Sequence, residues 1–177
     1  MLVTNFKKYS LEVRLVEVED APFIHSLRSN ERLNRFINVS DSSVGDQERW
    51  ISAYKERESK GLEYYFVFSR GGQRLGVERI YSITDTNFTF GSLVFDVNAP
   101  LGSAVLADII TKEFGFADLG FREALFDVRK ANKSVLGYHK GYSPKMIAED
   151  EENFYFSLSF ENFEKNKTKY LQIFKPS

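Results

Sequence analysis

The stretch Val94–Ala104 reads VFDVNAPLGSA. A β-rich run ends at Val97, Pro100 and Gly102 interrupt it, and a helical pattern begins within three residues of Gly102. Val105, Leu106, Ile109, Ile110 and Phe114 share the inner face of that predicted helix. Such a junction leaves the backbone N–H groups of Gly102, Ser103 and Ala104 without intrahelical partners. They point outward at the positive end of the helix dipole, which suits a phosphate or pyrophosphate. Gly102 has no side chain to block close approach. The same residues also read as a plain strand-to-helix turn. No GxxxxGK[ST] loop and no dinucleotide fingerprint occurs, which argues against an ATPase or kinase and against that mode of nucleotide binding.

Upstream of this junction lies a run of strands. Leu62–Ser69, "LEYYFVFS", is aromatic and β-rich, and Arg70-Gly71-Gly72 turns the chain into "QRLGVERIYSI". A second turn at Asp85-Thr86-Asn87 leads into Phe88–Val97, so three strands form an antiparallel meander. Further toward the N-terminus, Leu11, Val13 and Leu15 alternate with Glu12 and Arg14 as a first strand. Asp20 is expected to cap a helix with Pro22 in its first turn and Phe23, Ile24 and Leu27 on its buried face. Leu33, Phe36 and Ile37 form a short apolar group, Asn38–Gly45 reads as a loop, and Asp46 opens a second helix carrying Trp50, Ala53 and Tyr54. Downstream, Gly120 ends the central helix and "REALFDV", Arg122–Val128, is a strand. Asn132 starts a short helix to about Lys140, and Tyr142–Ala148 and Asn153–Phe160 pair as the last strands. A polar helix at about 161–171 closes the chain. The order β-α-α-β-β-β-α-β-α-β-β implies an α/β (α+β) fold, a mixed sheet of about seven strands with helices on both faces.

The bulk numbers narrow the function. The 177 residues fit one domain without repeat or linker, 1–177. A net charge of -1 gives no basic face for a nucleic-acid backbone. The absence of cysteine removes disulfides, thiol nucleophiles and cysteine zinc sites. His25 and His139 lack metal-motif spacing, so no metal is expected. No stretch approaches the roughly 20 apolar residues of a membrane span, and the default compartment is the cytoplasm.

A second chemical stretch is Asn132–Tyr142, "NKSVLGYHKGY". Tyr138 and His139 sit almost two turns beyond the expected N-cap, and a phenol and an imidazole both transfer protons. Tyr138 packing on the sheet and His139 in solvent is the plainer reading of the same residues.

Taken together, these stretches resemble the GNAT acetyltransferase superfamily over roughly residues 11–160. "LEVRLVEVEDAPFIHSLR" is similar to its first strand and helix, and "ERWISAYKE" followed by "YYFVFSRGGQRLGVERIYSI" to its second helix and next two strands. "APLGSA" resembles the acyl-CoA loop [Gln/Arg]-x-x-Gly-x-[Gly/Ala], with Gly102 and Ala104 in place and Ala99 where Gln or Arg is usual. "NKSVLGYH" resembles Asn-x-x-[Ala/Val]-[Ile/Leu]-x-x-[Tyr/His], with Asn132, Val135, Leu136 and His139 matching. Two branches look nearest: acetyltransferases of amino-sugar nucleotides, and ribosomal-protein N-acetyltransferases.

The resemblance implies acetyl-CoA as co-substrate, bound where two central parallel strands, Phe88–Val97 and Arg122–Val128, splay apart. The backbone of Phe95, Asp96 and Val97 would pair with the pantetheine amides as an added strand. The pyrophosphate would lie over Leu101, Gly102, Ser103 and Ala104, with Asn132 and Val135 lining the same site. A primary amine would attack the thioester directly, and Tyr138 or His139 would protonate the thiolate. Counting from Asn132 favours His139, counting back from Gly141-Tyr142 favours Tyr138, and the tyrosine habit of the superfamily tips the expectation to Tyr138. Glu78 and Asp96 are the carboxylates to consider beside the amine. The expected acceptor is a small molecule, foremost an amino-sugar nucleotide, with a protein N-terminus as alternative and a non-catalytic acyl-CoA-binding module as another. No nucleic-acid or membrane partner is expected, and a homodimer is allowed.

Overall fold

The computed structural model describes residues 2–36 and 43–174. The expectations at Ile37 and for the loop over 38–42 lie outside the described residues. The chain forms β1 (Phe6–Lys8), β2 (Leu11–Leu15), α1 (Ala21–Arg28), α2 (Val44–Ser59), β3 (Tyr64–Arg70), β4 (Gln73–Tyr81), β5 (Asn87–Phe95), α3 (Ser103–Glu113), β6 (Glu123–Arg129), α4 (Lys133–Lys140), β7 (Lys145–Glu149), β8 (Asn153–Ser159) and α5 (Phe160–Phe174). The sheet has eight strands in the order β1-β2-β3-β4-β5-β6-β8-β7. Among the described residues only β5 and β6 run parallel. The strand beyond the expected seven is β1, three residues that pair with β2 at the sheet edge and are too short to carry a periodic signal.

Each face of the sheet has its own core. β3 is buried on both sides, so it reads as a continuous apolar run rather than an alternation. Phe66 and Phe68 face α3 with Phe88 and Phe114, whereas Tyr65 and Val67 face α1 and α2 with Ile24, Ile51, Tyr54, Val77 and Val94. α3 is itself wrapped: every residue from Leu106 to Glu113 is buried, because α5 lies along the side away from the sheet.

Local chemistry sets the helix ends, with two departures from expectation. α2 begins at Val44, ahead of Asp46, because Ser43 is its N-cap. Ser43 Oγ accepts from Asp46 N at 3.1 Å, and Asp46 Oδ2 accepts from Ser43 N at 2.8 Å, a reciprocal box. Asp20 stands at the N-cap of α1 but makes no cap hydrogen bond. Its carboxylate instead accepts from Arg14 at 2.7 and 2.8 Å and from Arg74 at 3.0 Å, tying β2 and β4 to the start of α1.

The feature that makes a site is the junction of β5 and β6. They pair over three residues only, Asn87 with Glu123, Phe88 with Ala124 and Thr89 with Leu125. Beyond that point they diverge. A bulge helps to turn β5 away: Val77 pairs Val94 and Arg79 pairs Gly91, so Glu78 stands opposite both Ser92 and Leu93. Ser92 takes a left-handed φ of 56° to make that bend. Among the described residues no helix is long and apolar enough to cross a membrane.

Candidate active site

The splay opens into a cavity of about 1040 Å³. One wall carries Arg28, Trp50, Tyr65, Arg79 and Tyr81, from α1, α2, β3 and β4. Arg79 organises this wall. Its Nη1 donates to Glu63 at 2.8 Å, its Nε donates to the bulge hydroxyl of Ser92 at 3.1 Å, and its guanidinium lies 4.3 Å from the ring centre of Tyr81 and 5.3 Å from that of Trp50. Burial pushes the Tyr65 phenol up to about 12. The wall therefore presents neutral aromatic rings and arginines whose positions are fixed by partners.

The inner end is different. Phe90, Phe126, His139, Glu78 and Asp108 close it. Asp108 lies midway along α3 and one turn before Lys112, and the two are 1% and 0% exposed. Lys112 Nζ and the Tyr138 hydroxyl both donate to Asp108 Oδ2. The Lys112 ammonium is caged by rings, 4.6 Å from the centres of Phe90 and Tyr142. Among the described residues four buried polar atoms here make no well-formed hydrogen bond, Glu78 Oε2, Asp108 Oδ1, Thr111 Oγ1 and His139 Nδ1, although Thr111 and Asp108 both face Glu78. Such groups are rare in native interiors and call for an explanation such as strain, a catalytic role or a bound water or ion.

The electrostatics follow from burial and charge. Burial, and then the neighbouring Asp108 charge, raise Glu78 well above the usual carboxylate range, against the opposing pull of Lys112. Burial alone would raise Asp108 as well, but the Lys112 charge and the hydrogen bonds from Lys112 and Tyr138 outweigh it and leave Asp108 low. Burial, assisted by Lys112, depresses His139 to about 3, so the imidazole is neutral. Burial and the Asp108 charge push Tyr138 well above the ordinary phenol value.

The expected site residues divide. On α4, Asn132 is the N-cap and its Oδ1 accepts from Val135 N at 3.3 Å. Asn132, Val135 and His139 all line the cavity. Tyr138 does not: the neighbouring position on the helix turns its ring toward α3 and α5, where it meets Tyr142 and Tyr170 and donates to Asp108. Glu78 lies on the cavity, but Asp96 lies beyond the end of β5, where its Oδ1 accepts from Asn98 N at 2.8 Å. Phe95 lines the cavity, whereas Val97 and Leu101 stand out into solvent, Leu101 at 92% exposed.

At the α3 N-terminus, Gly102 has φ 83°, a conformation that favours glycine, and is the N-cap. Ser103 is buried with its Oγ unpartnered, but its backbone N–H, expected to be free, donates to Pro100 O at 3.0 Å because the chain closes a tight turn there, and Ala104 packs on the core. A side chain on Gly102 would come within 2.5 Å of Phe174 of α5, so this loop is overlaid by the C-terminal helix. Sequence reasoning did not find Asp108, Thr111 or Lys112. An i,i+4 Asp–Lys pair reads as a solvated helix face, and only the amphipathic α5, which must cover something, hints that α3 has no solvated face.

The residues 10–140 match the model of an acetyltransferase (GNAT) domain. The chain belongs to the GNAT acetyltransferase family. Among solved structures, apo FdhC, a nucleotide-linked sugar GNAT, is 34% identical, with 97% of this chain and 98% of that one covered at a TM-score of 0.86. Two further structures share the fold at low identity. Spermidine N-acetyltransferase from Vibrio cholerae, in complex with CoA and spermine, is 14% identical, covering 89% and 99% at a TM-score of 0.75. Mycobacterium smegmatis RimJ, in complex with CoA-disulfide, is 15% identical, covering 92% and 88% at 0.77. No curated protein matches the sequence.

Proposed function

We propose that this GNAT enzyme uses acetyl-CoA to N-acetylate the amine of a nucleotide-linked amino sugar. The observation that carries the reading is the 34% identity to a nucleotide-linked sugar GNAT over nearly the whole of both chains. The geometry agrees in kind. The cavity is wide enough for two substrates meeting in the splay, and one wall offers the aromatic faces and fixed guanidiniums that bases and phosphates require.

In this reading the acyl donor enters between β5 and β6, its pantetheine beside the stretch of β5 that ends at Phe95 and is unpaired on the β6 side, and its pyrophosphate toward Gly102 and Ala104 at the α3 N-terminus, with Phe174 of α5 moving aside. The acceptor enters from the Trp50 and Arg79 wall. The amine attacks the thioester carbon directly. An amine of pKa about 8 costs roughly 1.4 kcal/mol to deprotonate at pH 7, against roughly 4.6 for a lysine side chain. At the inner end of the cavity the two carboxyl groups are Glu78, raised by burial, and Asp108, paired with Lys112, while Asp46, Asp127 and Glu152 line it elsewhere. With no strong acceptor at the inner end, the first kind of amine is favoured.

The test is thiol release from acetyl-CoA with a panel holding a nucleotide-linked amino sugar, the corresponding free amino sugar, a peptide with a free N-terminus and a polyamine. Turnover is expected with the nucleotide-linked sugar and to fall at least 100-fold with the others. Preferred use of the peptide would replace this reading with protein N-terminal acetylation. Acetyl-CoA binding without any thiol release would make the chain a binding module.

A further inference from the structure

We propose that Glu78 is the proton donor of the acyl transfer, a neutral carboxylic acid held beside the Asp108 carboxylate at the inner end of the cavity. This rests on the acylation reading and adds a residue role to it.

The argument is a count of charges and donors. Two carboxyl groups and one ammonium meet there, Glu78, Asp108 and Lys112, each no more than 1% exposed. One ammonium balances one carboxylate. Asp108 holds the donors, since both Lys112 Nζ and the Tyr138 hydroxyl point at its Oδ2. Glu78 Oε2 has no partner. Two buried carboxyls that share a site cannot both ionise without a second cation, and Glu78, which faces the neutral Thr111 hydroxyl and the Asp108 carboxylate beside the shared Lys112, is the one that keeps its proton. The groups facing Glu78 do not supply that cation. They are Asp108, Thr111 and Lys112 on α3, with Tyr138 and His139 on α4 reaching the same cluster through Asp108.

The complementary group is on the same cavity. His139 is held between Phe126 and Phe90, with ring centres 4.6 and 5.9 Å away, and its Nδ1 has no partner. A neutral imidazole with an unpartnered nitrogen can accept a proton, and a neutral carboxylic acid can give one. Neighbouring titratable groups driven apart in this way define an acid and a base. During transfer the amine nitrogen bonds to the acyl carbon and the C–S bond breaks. The sulfur takes the Glu78 proton, so the thiol leaves neutral and Glu78 becomes a carboxylate. The new amide nitrogen sheds its surplus proton to His139, which returns it to Glu78. An amine that arrives as an ammonium first loses one further proton to water. Asp108 acts through Glu78 and is a positioning residue, as are Lys112 and Tyr138.

Two measurements on the full chain test this. The first needs no substrate: the infrared carboxyl region at pH 7 is compared among wild type, Glu78→Gln and Asp108→Asn. Wild type is expected to show a protonated, buried carboxyl band that is lost in Glu78→Gln. It is also lost in Asp108→Asn, where Glu78 ionises against the freed Lys112. A band that persists in Glu78→Gln overturns the assignment, and one that survives Asp108→Asn overturns the pairing. The second is kcat with the amine that the panel identifies. Glu78→Gln keeps the shape and hydrogen-bonding capacity but has no acidic proton, and kcat is expected to fall by about 10²- to 10⁴-fold, with the KM for acetyl-CoA within twofold. The alkaline fall of the wild-type kcat should vanish in the variant. A kcat within threefold of wild type refutes the role. Since the spectrum is taken without substrate, a panel that shows no amine turnover counts against the acylation reading alone, and the protonated pair is decided separately.

Discussion

Replacing Lys112 with Met removes the ammonium that balances Asp108 inside the core. Both partners are buried, at 0% and 1% side-chain exposure, so no solvent screens the change. Deleting one partner of a buried pair costs about 3–5 kcal/mol, because the other charge is left uncompensated. Met fills much of the space of the lysine stem between Phe90 and Tyr142, so the cavity contribution is small and the lower end, about 3 kcal/mol, is expected. That is a large share of the roughly 5–15 kcal/mol that holds a domain folded. With a urea slope of about 1–3 kcal/mol per molar, the midpoint should fall by about 1–3 M. The assay is urea unfolding followed through Trp50, the single tryptophan. A second variant, Lys112→Met with Asp108→Leu, removes both charges and should regain most of the loss, since an apolar replacement of a whole buried pair is often neutral or stabilising. Acid adds a signature. The folded Asp108 is held low, so its stabilisation is present above its unfolded pKa and is lost as pH falls through the folded one. Without Lys112 burial raises Asp108, so its contribution to that acid limb should shrink or reverse sign. A single variant within about 0.3 M of wild type, or a double variant weaker than the single, would refute this account of the pair.

Three further outcomes are expected. The folded His139 is depressed to about 3 by burial, against an unfolded value near 6.5, so its contribution is complete above about pH 6.5 and declines as pH falls toward 3. The urea midpoint should therefore fall further between pH 7 and pH 4.5 for wild type than for His139→Phe, and equal falls would contradict a neutral buried imidazole. Gly102→Ala meets both a positive φ, costing about 1–2 kcal/mol, and the ring of Phe174. Adding Phe174→Ala should relieve the second cost but not restore acetyl-CoA affinity by calorimetry, if the loop backbone holds the pyrophosphate. Tyr138→Phe removes a hydrogen bond to a carboxylate and should cost about 1.5–3 kcal/mol of stability while leaving the KM for acetyl-CoA unchanged, because the ring does not line the cavity. A rise in that KM of more than fivefold would bring Tyr138 back to the acyl-donor site.

Much of the fold was legible because its signals are local. The glycine turn at Gly71-Gly72, the switch from period 2 to period 3.6 after Pro100, and the Asn132 cap are each set by residues within a few positions of one another. The meander, the parallel step to β6 and the closing pair of strands follow from their order. β1 was not legible, since three residues carry no period. Nor was the true place of Asp20, whose acidic side chain suits a helix cap equally well. Two arginines, one of them 54 residues away, decide against that use, and no local pattern encodes such a contact.

The site was legible to the depth of one helix turn. Asn132, Val135 and His139 fall at i, i+3 and i+7, which is one face of α4, so counting from the cap places His139 on the cavity. The superfamily's habit of a tyrosine pulled the expectation to Tyr138, one residue earlier and about 100° around the helix. That angle sends the phenol to the other side, into a network that no motif announces. The network's members come from β4, α3 and α4, and two of them, Asp108 and Lys112, look like a surface ion pair until α5 is laid over them. Charge in a helix has two opposite meanings, solvation or enforced pairing, and the difference lies in what covers the helix. Here the cover is a C-terminal segment some fifty residues downstream. By burying α3 on its outer side it converts an ordinary i,i+4 pair into a fixed internal charge. Burial comes first in both shifts where the substrates would meet, with Asp108 adding to the rise of Glu78 and Lys112 adding to the fall of His139.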